Sequence, residues 1–320
     1  MKRALVLAAA LALSAPASAG AHLRSSRSAV DFRASVSTTP SVVRARVYRA
    51  DLALALTLVG AHRVLVLGYL GEPFLRLEPN GVFVNAASPT AAGTKLVEPE
   101  RSSRPVWKLR SRRTSVIWHD ARVRGGASSG TWRIPLVVDG RRSRLEGTVQ
   151  RVAAPAAWPW LAIGAAFAVA TGLVLRRRML LRPATAAFGA VAGGATVLSA
   201  IGFALASSAS QGTWIEAANE AVFAVVGAIF LIRGSSDTKA LAGGFLGLLG
   251  LAAGLTKLPV FLHGIVLSEL SGGLARLAVA LAIAAGAAAT ILGLVVFFDV
   301  LEHYEEPEIA NAAERSSAGR

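Results

Sequence analysis

Apolar residues follow two different patterns along this chain. Between residues 52 and 152 they alternate with polar or small residues in short runs, whereas beyond residue 157 they fill long uninterrupted stretches. A period of two is typical of strands with one buried face, and about 20 apolar residues span the apolar core of a bilayer. The pattern therefore predicts an all-β, sandwich-like domain followed by a bundle of transmembrane helices.

The clearest alternation covers residues 52–58, and a second apolar run follows at residues 64–67. His62 and Arg63 argue against one membrane helix across both runs, because a charge at the centre of a span costs about 3 kcal/mol. We therefore predict a β-hairpin from these two runs. Further strands are predicted at residues 81–85, 115–119, 131–138 and 144–152, with the turn signal Asp139-Gly140 between the last two. Short strands between Gly, Pro and Asn turns indicate an antiparallel sandwich.

Five apolar stretches are long enough to cross a bilayer. They cover residues 158–175, 184–206, 214–232, 240–262 and 274–298 of a membrane domain at residues 155–300. The connections after the first and third stretches are basic, whereas those after the second and fourth contain no Lys or Arg. Because basic connections stay on the cytoplasmic side, residues 20–154 are expected outside the plasma membrane and the acidic tail, residues 301–320, inside the cell.

The first 19 residues have the three parts of a secretory signal peptide. Lys2 and Arg3 precede a short apolar run, and Ala17-Ser18-Ala19 forms a small-residue cleavage site. Export of the following segment agrees with the sidedness that the loop charges predict. Because the chain contains no cysteine, the exported domain is expected to fold without disulfides.

Positive charge is concentrated in the exported segment. Residues 20–157 hold 22 Lys and Arg against 9 Asp and Glu, which is a net +13 of the formal +15. Such a domain is attracted to anionic lipid headgroups, to anionic envelope polymers or to another envelope protein. The alternative is that abundant Ala, Gly and Arg reflect a GC-rich genome. The expected location excludes nucleic acid as a partner.

One stretch of the predicted β domain reads Gly68-Tyr69-Leu70-Gly71-Glu72-Pro73-Phe74-Leu75-Arg76 and continues through Pro79-Asn80-Gly81-Val82 and Val84-Asn85 to Ser88-Pro89. It resembles a family of uncharacterised actinobacterial membrane proteins, and the similarity extends from about residue 42 to the last span. The resemblance implies a signal peptide, a β-rich outer domain and several C-terminal spans. Some members of that family occur in a copper-related setting.

Members of that family commonly contain a Trp-His-Asp-His stretch followed by one further His. Here Trp118-His119-Asp120 matches the start, but Ala121 and Arg124 occupy the positions of the other two histidines. A metal site normally needs three or four ligands, so His119 and Asp120 form an incomplete site. The alternative is that His119 is a strand residue with local hydrogen bonds.

Signal-peptide cleavage predicts a second metal site. Cleavage after Ala19 leaves Gly20-Ala21-His22, whose amine, two amides and imidazole suit Cu(II) in square-planar geometry. Cleavage after Ala21 makes His22 the first residue, with its amine and imidazole as a chelating pair. The alternative is that cleavage simply requires small residues at these positions. Cu(II) is therefore the one cofactor hypothesis that the sequence supports.

The third span contains ionisable residues. Its apolar part, residues 221–232, is too short to cross alone, which draws Glu216, Asn219 and Glu220 into the outer part of the membrane. Glu216 and Glu220 lie on one helix face, and Lys257 of the fourth span lies at a similar depth of about 8 Å. We predict an ion pair between Glu220 and Lys257, shared with Glu216. A structural pair is the favoured interpretation, and a proton or ion pathway is the functional alternative.

The fourth span also carries glycines at intervals of four, three and four, which predicts one closely packed helix face; they are Gly243, Gly247, Gly250 and Gly254.

Three functions agree with the sequence. The leading one is a membrane-anchored binding or interaction protein of the cell envelope. The alternatives are a copper-related accessory protein and a small transporter that uses the third and fourth helices. An enzyme is least favoured, because the chain contains no phosphate-binding glycine loop and no His-Glu-x-x-His.

Overall fold

The computed structural model describes residues 28–125, 129–206 and 211–317, so the predicted signal peptide and His22 lie outside the described residues. The chain forms two compact units. The β unit contains Ala29–Ala154 together with His263–Leu267, and the helical unit contains Pro155–Leu262 and the chain from Ser268. The β unit is therefore built from two separate parts of the sequence.

The β unit consists of short antiparallel strands. In chain order they are β1 (Ala29–Val30), β2 (Phe32–Thr38), β3 (Val43–Tyr48), β4 (Ala53–Leu58), β5 (Val64–Leu67), β6 (Pro73–Glu78), β7 (Gly81–Asn85), β8 (Trp107–Ser111), β9 (Ser115–Trp118), β10 (Gly130–Val138), β11 (Arg141–Arg151) and β12 (Ile265–Val266). A seven-stranded sheet has the order β2-β11-β10-β5-β6-β7-β8, a three-stranded sheet has the order β3-β4-β9, and β1 pairs with β12. A short helix, α1 (Pro89–Thr94), follows β7.

The two larger sheets enclose one hydrophobic core. Leu54 and Leu56 of β4 and Val66 of β5 are fully buried members of the same cluster. The rings of Phe74 in β6 and Trp118 in β9 meet edge to face with centroids 6.0 Å apart, which joins the two layers. The alternation of apolar residues therefore produces the two-layered β fold that the sequence predicted.

The hairpin predicted from residues 52–58 and 64–67 is wrong, although both strands exist. β4 pairs with β3 and β9 in the three-stranded sheet, whereas β5 pairs with β6 and β10 in the seven-stranded sheet. The connection includes Gly60, which has a φ of 79° and lets the chain turn from one layer to the other. Alternation fixed the inward-facing side chains of each strand, but it did not determine the neighbouring strand.

The turn predicted between β10 and β11 is present. Asp139 and Gly140 have φ values of 47° and 81°, and Val138 pairs directly with Arg141. Two successive positive φ angles are typical of a two-residue hairpin turn, in which Asp and Gly are favoured residues. This turn places Arg141 and Arg142 at the tip of a long hairpin.

The helical unit contains α2 (Trp158–Arg176), α3 (Leu181–Ala204), α4 (Gln211–Arg233), α5 (Ser236–Thr256), the short α6 (Pro259–Leu262) and α7 (Gly272–Ser317). All except α6 are long and apolar enough to cross a membrane. α5 packs against α3 and α7 through its glycine face. A Cβ atom on Gly247 would lie 2.6 Å from the Cβ of Ala289, so this face requires glycine for close packing.

Two helix ends lie six or more residues from the predicted bounds. α5 ends at Thr256 rather than at residue 262, because Pro259 supplies no N–H and disfavours helical geometry at Leu258. The last helix was predicted to end at residue 298, whereas α7 continues to Ser317 and includes most of the acidic tail.

Candidate functional site

The stretch from Gly68 to Arg76 builds a connection around Glu72. The Glu72 carboxylate accepts hydrogen bonds from Ser88 Oγ at 2.7 Å, from Thr90 Oγ1 at 2.7 Å and from the backbone N–H of Leu70 at 3.0 Å. Partial burial raises the pKa of Glu72, but the hydrogen bonds from Thr90 and Ser88 outweigh it and lower the pKa to about 2. These residues therefore hold the β5–β6 turn against α1.

Asp120 is fully buried and lies in a second polar group next to that turn. Its carboxylate accepts from Trp118 Nε1 at 2.9 Å, from Arg122 Nε at 3.0 Å and from Arg122 Nη2 at 2.7 Å. The guanidinium of Arg122 stacks on the Tyr69 ring, 4.9 Å from its centroid. Both carboxylate oxygens of Asp120 are thus used in a structural ion pair.

His119 points to a different partner. Its Nδ1 lies 2.8 Å from the carbonyl oxygen of Leu52 and therefore donates to it, because a carbonyl only accepts. Within residues 28–125, 129–206 and 211–317, no three His, Asp or Glu side chains are grouped to hold a metal ion. The structure does not join His119 and Asp120 into one ligand set, and the copper hypothesis depends on His22.

The predicted ion pair between α4 and the end of α5 is present. Lys257 Nζ lies 2.7 Å from Glu220 Oε1 and 3.5 Å from Glu216 Oε1. The side chains of Lys257 and Glu220 are each 8% exposed, and that of Glu216 is 26% exposed. Asn219 is exposed on another face of α4 and does not join these three residues. We call Glu216, Glu220 and Lys257 the acid–lysine cluster.

Local structure explains the position of Lys257. It follows the last residue of α5, where main-chain carbonyls lack helical partners and the helix dipole favours a cation. Its ammonium also donates to the carbonyl oxygen of Ala253 at 3.3 Å. Lys257 therefore closes the end of α5 while it pairs with α4.

A second ion cluster, which the sequence did not indicate, lies at the opposite end of α5. Arg182 at the start of α3 donates to Asp237 in the first turn of α5 and to Asp299 of α7, the latter at 2.8 Å. One guanidinium thus joins three helices. The three residues lie far apart in the sequence, and each alone is an ordinary charged residue, so no local pattern indicated the cluster.

The connection between α6 and α7 joins the β unit. Ala29 pairs with Val266 and Val30 with Ile265. Asp31 accepts a hydrogen bond from His263 Nδ1 at 3.0 Å and another from the backbone N–H of Gly264. These two hydrogen bonds hold the pKa of Asp31 below its usual range. The sequence carries no sign of this pairing, because a two-residue strand has no measurable period.

A row of arginines lies at one end of the β unit. Arg141 and Arg142 follow the β10–β11 turn, Arg63 precedes β5, and Arg112 and Arg113 follow β8. The register brings these connections together: Asp139 N–H donates to the carbonyl of Arg63, and Gly81 beside the end of β6 lies against the backbone of Arg112. Four strand steps of about 4.8 Å separate β10 from β8, so the row extends over about 19 Å.

Most of this row has no acidic partner. Arg63 pairs with Glu78 at 2.7 Å. Arg112, Arg113, Arg141 and Arg142 are exposed and form no ion pair with any residue that the structure describes. Asp139 is occupied by His62 Nδ1 at 2.7 Å and by the N–H of Arg63. We call Arg63, Arg112, Arg113, Arg141 and Arg142 the arginine row.

The row lies at the far end of the β unit from the point where the chain leaves it. Val152 N–H donates to the carbonyl of Asp31 beside β1, at the other end of β11. Residues 98–106 also lie at that other end, since Glu100 N–H donates to the carbonyl of Ala86 after β7. The arginine row therefore occupies loop tips at the end of the β unit opposite Val152.

Comparisons with known proteins found no match. The chain matches no protein-family model, no curated protein and no solved structure.

Proposed function

We propose that this chain is a membrane-anchored binding protein, whose β unit lies outside the cytoplasmic membrane and binds an anionic polymer of the cell envelope. The observation that carries the proposal is the arginine row, with four exposed guanidinium groups that have no carboxylate partner in the described parts of the chain. Guanidinium groups bind phosphate and carboxylate in paired geometry. A row of about 19 Å matches an extended chain of anions rather than a single one.

Sidedness supports the same function. The predicted signal peptide and the basic connections after α2 and α4 both favour an external β unit. Between Ala154 and His263 the chain has four helices long enough to cross, and an even number of crossings returns it to the starting side. This agrees with the pairing of β12 with β1 in one unit.

The test uses the full-length protein in bilayers of neutral lipid, with fluorescent inorganic polyphosphate as the probe. We expect binding that weakens as salt rises, because contacts to phosphates release counterions. Replacing Arg112 and Arg113 by Glu is expected to reduce affinity about tenfold or more, which corresponds to about 1.4 kcal/mol or more.

A matched control is available in the same unit. Arg101 and Arg104 are exposed arginines at the other end of the β unit, and replacing both by Glu changes the net charge by the same amount. We expect this control to reduce affinity less than about threefold, since only general attraction changes. Equal losses in the two variants, or no salt-dependent binding by the unaltered protein, would rule out the arginine row as the binding site.

A further inference from the structure

The acid–lysine cluster has more negative than positive charge. Glu216 and Glu220 supply two carboxylates, and Lys257 supplies one ammonium. The cluster lies between helices that are long and apolar enough to cross a membrane. A net negative charge is costly in such surroundings, and it is relieved when the group binds a cation.

Glu220 gives an independent sign of the same imbalance. Its Oε1 accepts from Lys257 at 2.7 Å, but its buried Oε2 has no hydrogen-bond partner in the described chain. Glu220 is only 7% exposed as a residue, so this oxygen is largely removed from solvent. A buried carboxylate oxygen without a donor is expensive, whereas a protonated carboxyl group carries no charge.

In the described residues of α3 and α5, no other ionisable side chain lies at the helix ends next to the cluster. α4 packs against α3 and α5. The ionisable residue of α3 is Arg182 at the other end, and α5 has none between Lys239 and Lys257. Glu269 lies in the α6–α7 connection. Arg276 lies in the first turns of α7, and its Nε donates to the carbonyl of Val260.

We propose that Glu216, Glu220 and Lys257 form a binding site for one exchangeable proton, which the two carboxyl groups share. The proton comes from water: hydronium loses it, and an O–H bond forms on one carboxylate. Glu216 is the entry point, because it is the more exposed carboxylate and lies one turn nearer the start of α4. The neutral cluster then contains one ammonium, one carboxylate and one carboxylic acid.

The site opens toward one side of the bundle. Beyond Glu220, α4 continues with apolar residues, Ala and Gly as far as Arg233, and α5 likewise lacks ionisable residues toward Lys239. A proton bound at Glu220 therefore meets no further titratable group on these two helices. The arrangement fits reversible proton binding from one side, and it is independent of the arginine row.

Infrared spectroscopy of the full-length protein in bilayers tests the proposal, because a protonated carboxyl group has its own carbonyl band. At pH 7 we expect one protonated carboxyl group in the unaltered protein. Glu216→Gln and Glu220→Gln each leave one carboxylate with Lys257, so the band should disappear in both. Lys257→Met should give two protonated groups. Asn219→Ala, which changes an exposed neighbour, should leave one.

Each alternative result is decisive. A missing band in the unaltered protein at pH 7, or a band that survives both glutamine substitutions, would overturn the proposal. A band lost when sodium replaces choline at constant pH would assign the site to a sodium ion instead. If Lys257→Met does not fold, the unaltered protein and the two glutamine variants still decide the question.

Discussion

Removing the ammonium of Lys257 should destabilise the helical unit strongly and in a pH-dependent way. In Lys257→Met, Glu220 loses its 2.7 Å partner while its side chain stays more than nine-tenths buried. The carboxyl group must then take up a proton on folding. At pH 7 this costs about 3.7 kcal/mol for a carboxyl group with an ordinary pKa of about 4.3. We expect the free energy of unfolding to fall by about 4 kcal/mol in total, as for other buried ion pairs from which one partner is removed.

The sign of the pH dependence follows from proton binding. Near neutral pH, folding of Lys257→Met takes up one more proton than folding of the unaltered protein does. Its stability relative to the unaltered protein therefore rises as pH falls. Between pH 7 and pH 5 the free-energy cost of protonation drops by about 2.7 kcal/mol. Most of the loss of stability relative to the unaltered protein should therefore disappear at pH 5.

The assay is reversible unfolding in mixed detergent micelles, followed by the loss of helical circular dichroism. Adding Glu220→Gln to Lys257→Met should restore stability to within about 1.5 kcal/mol and remove the pH dependence, because no buried charge is left unpaired. Lys239→Met, at the other end of α5, is the matched control and should cost less than about 0.5 kcal/mol. A Lys257→Met protein as stable as the original, or a deficit that ignores pH, would refute this reasoning.

Three further substitutions test the structural groups. Asp120→Asn should cost about 3 kcal/mol, because Arg122 stays partly buried without its carboxylate; thermal unfolding of the full chain measures it. Arg182→Ala should cost about 1–2 kcal/mol, and Arg182→Lys should not restore it, because one ammonium lacks the forked geometry. Glu72→Gln should cost about 1 kcal/mol at pH 7, and the difference should vanish between about pH 4 and pH 2 as the folded Glu72 is protonated.

Sequence patterns predicted the parts of the fold that depend on local periodicity. The strands at residues 52–58 and 64–67 and the Asp139-Gly140 turn are present, and five helices are long and apolar enough to span a membrane. The pairing of β4 with β3 and β9 was not predictable, because alternation specifies a face and not a neighbour. The two-residue pairing of β1 with β12 leaves no periodic signal at all.

The candidate sites likewise include one that the sequence predicts and others that it does not. The pair of Glu220 and Lys257 was predictable, since helix spacing and membrane depth restrict where each side chain lies. The arginine row was not, because its members come from three connections that only the strand register brings together. The ion pair of Asp120 and Arg122 was equally hidden, and it engages the carboxylate of a residue that was predicted as a metal ligand.

The location of the arginine row outside the cell is the claim on which the proposed function depends most. Because the chain has no cysteine, single cysteines report sidedness without background. We predict that a membrane-impermeant maleimide labels Arg113→Cys in intact cells. Met179→Cys, at an exposed position between α2 and α3, should be labelled only after lysis. Labelling of Met179→Cys in intact cells while Arg113→Cys is protected would contradict the account.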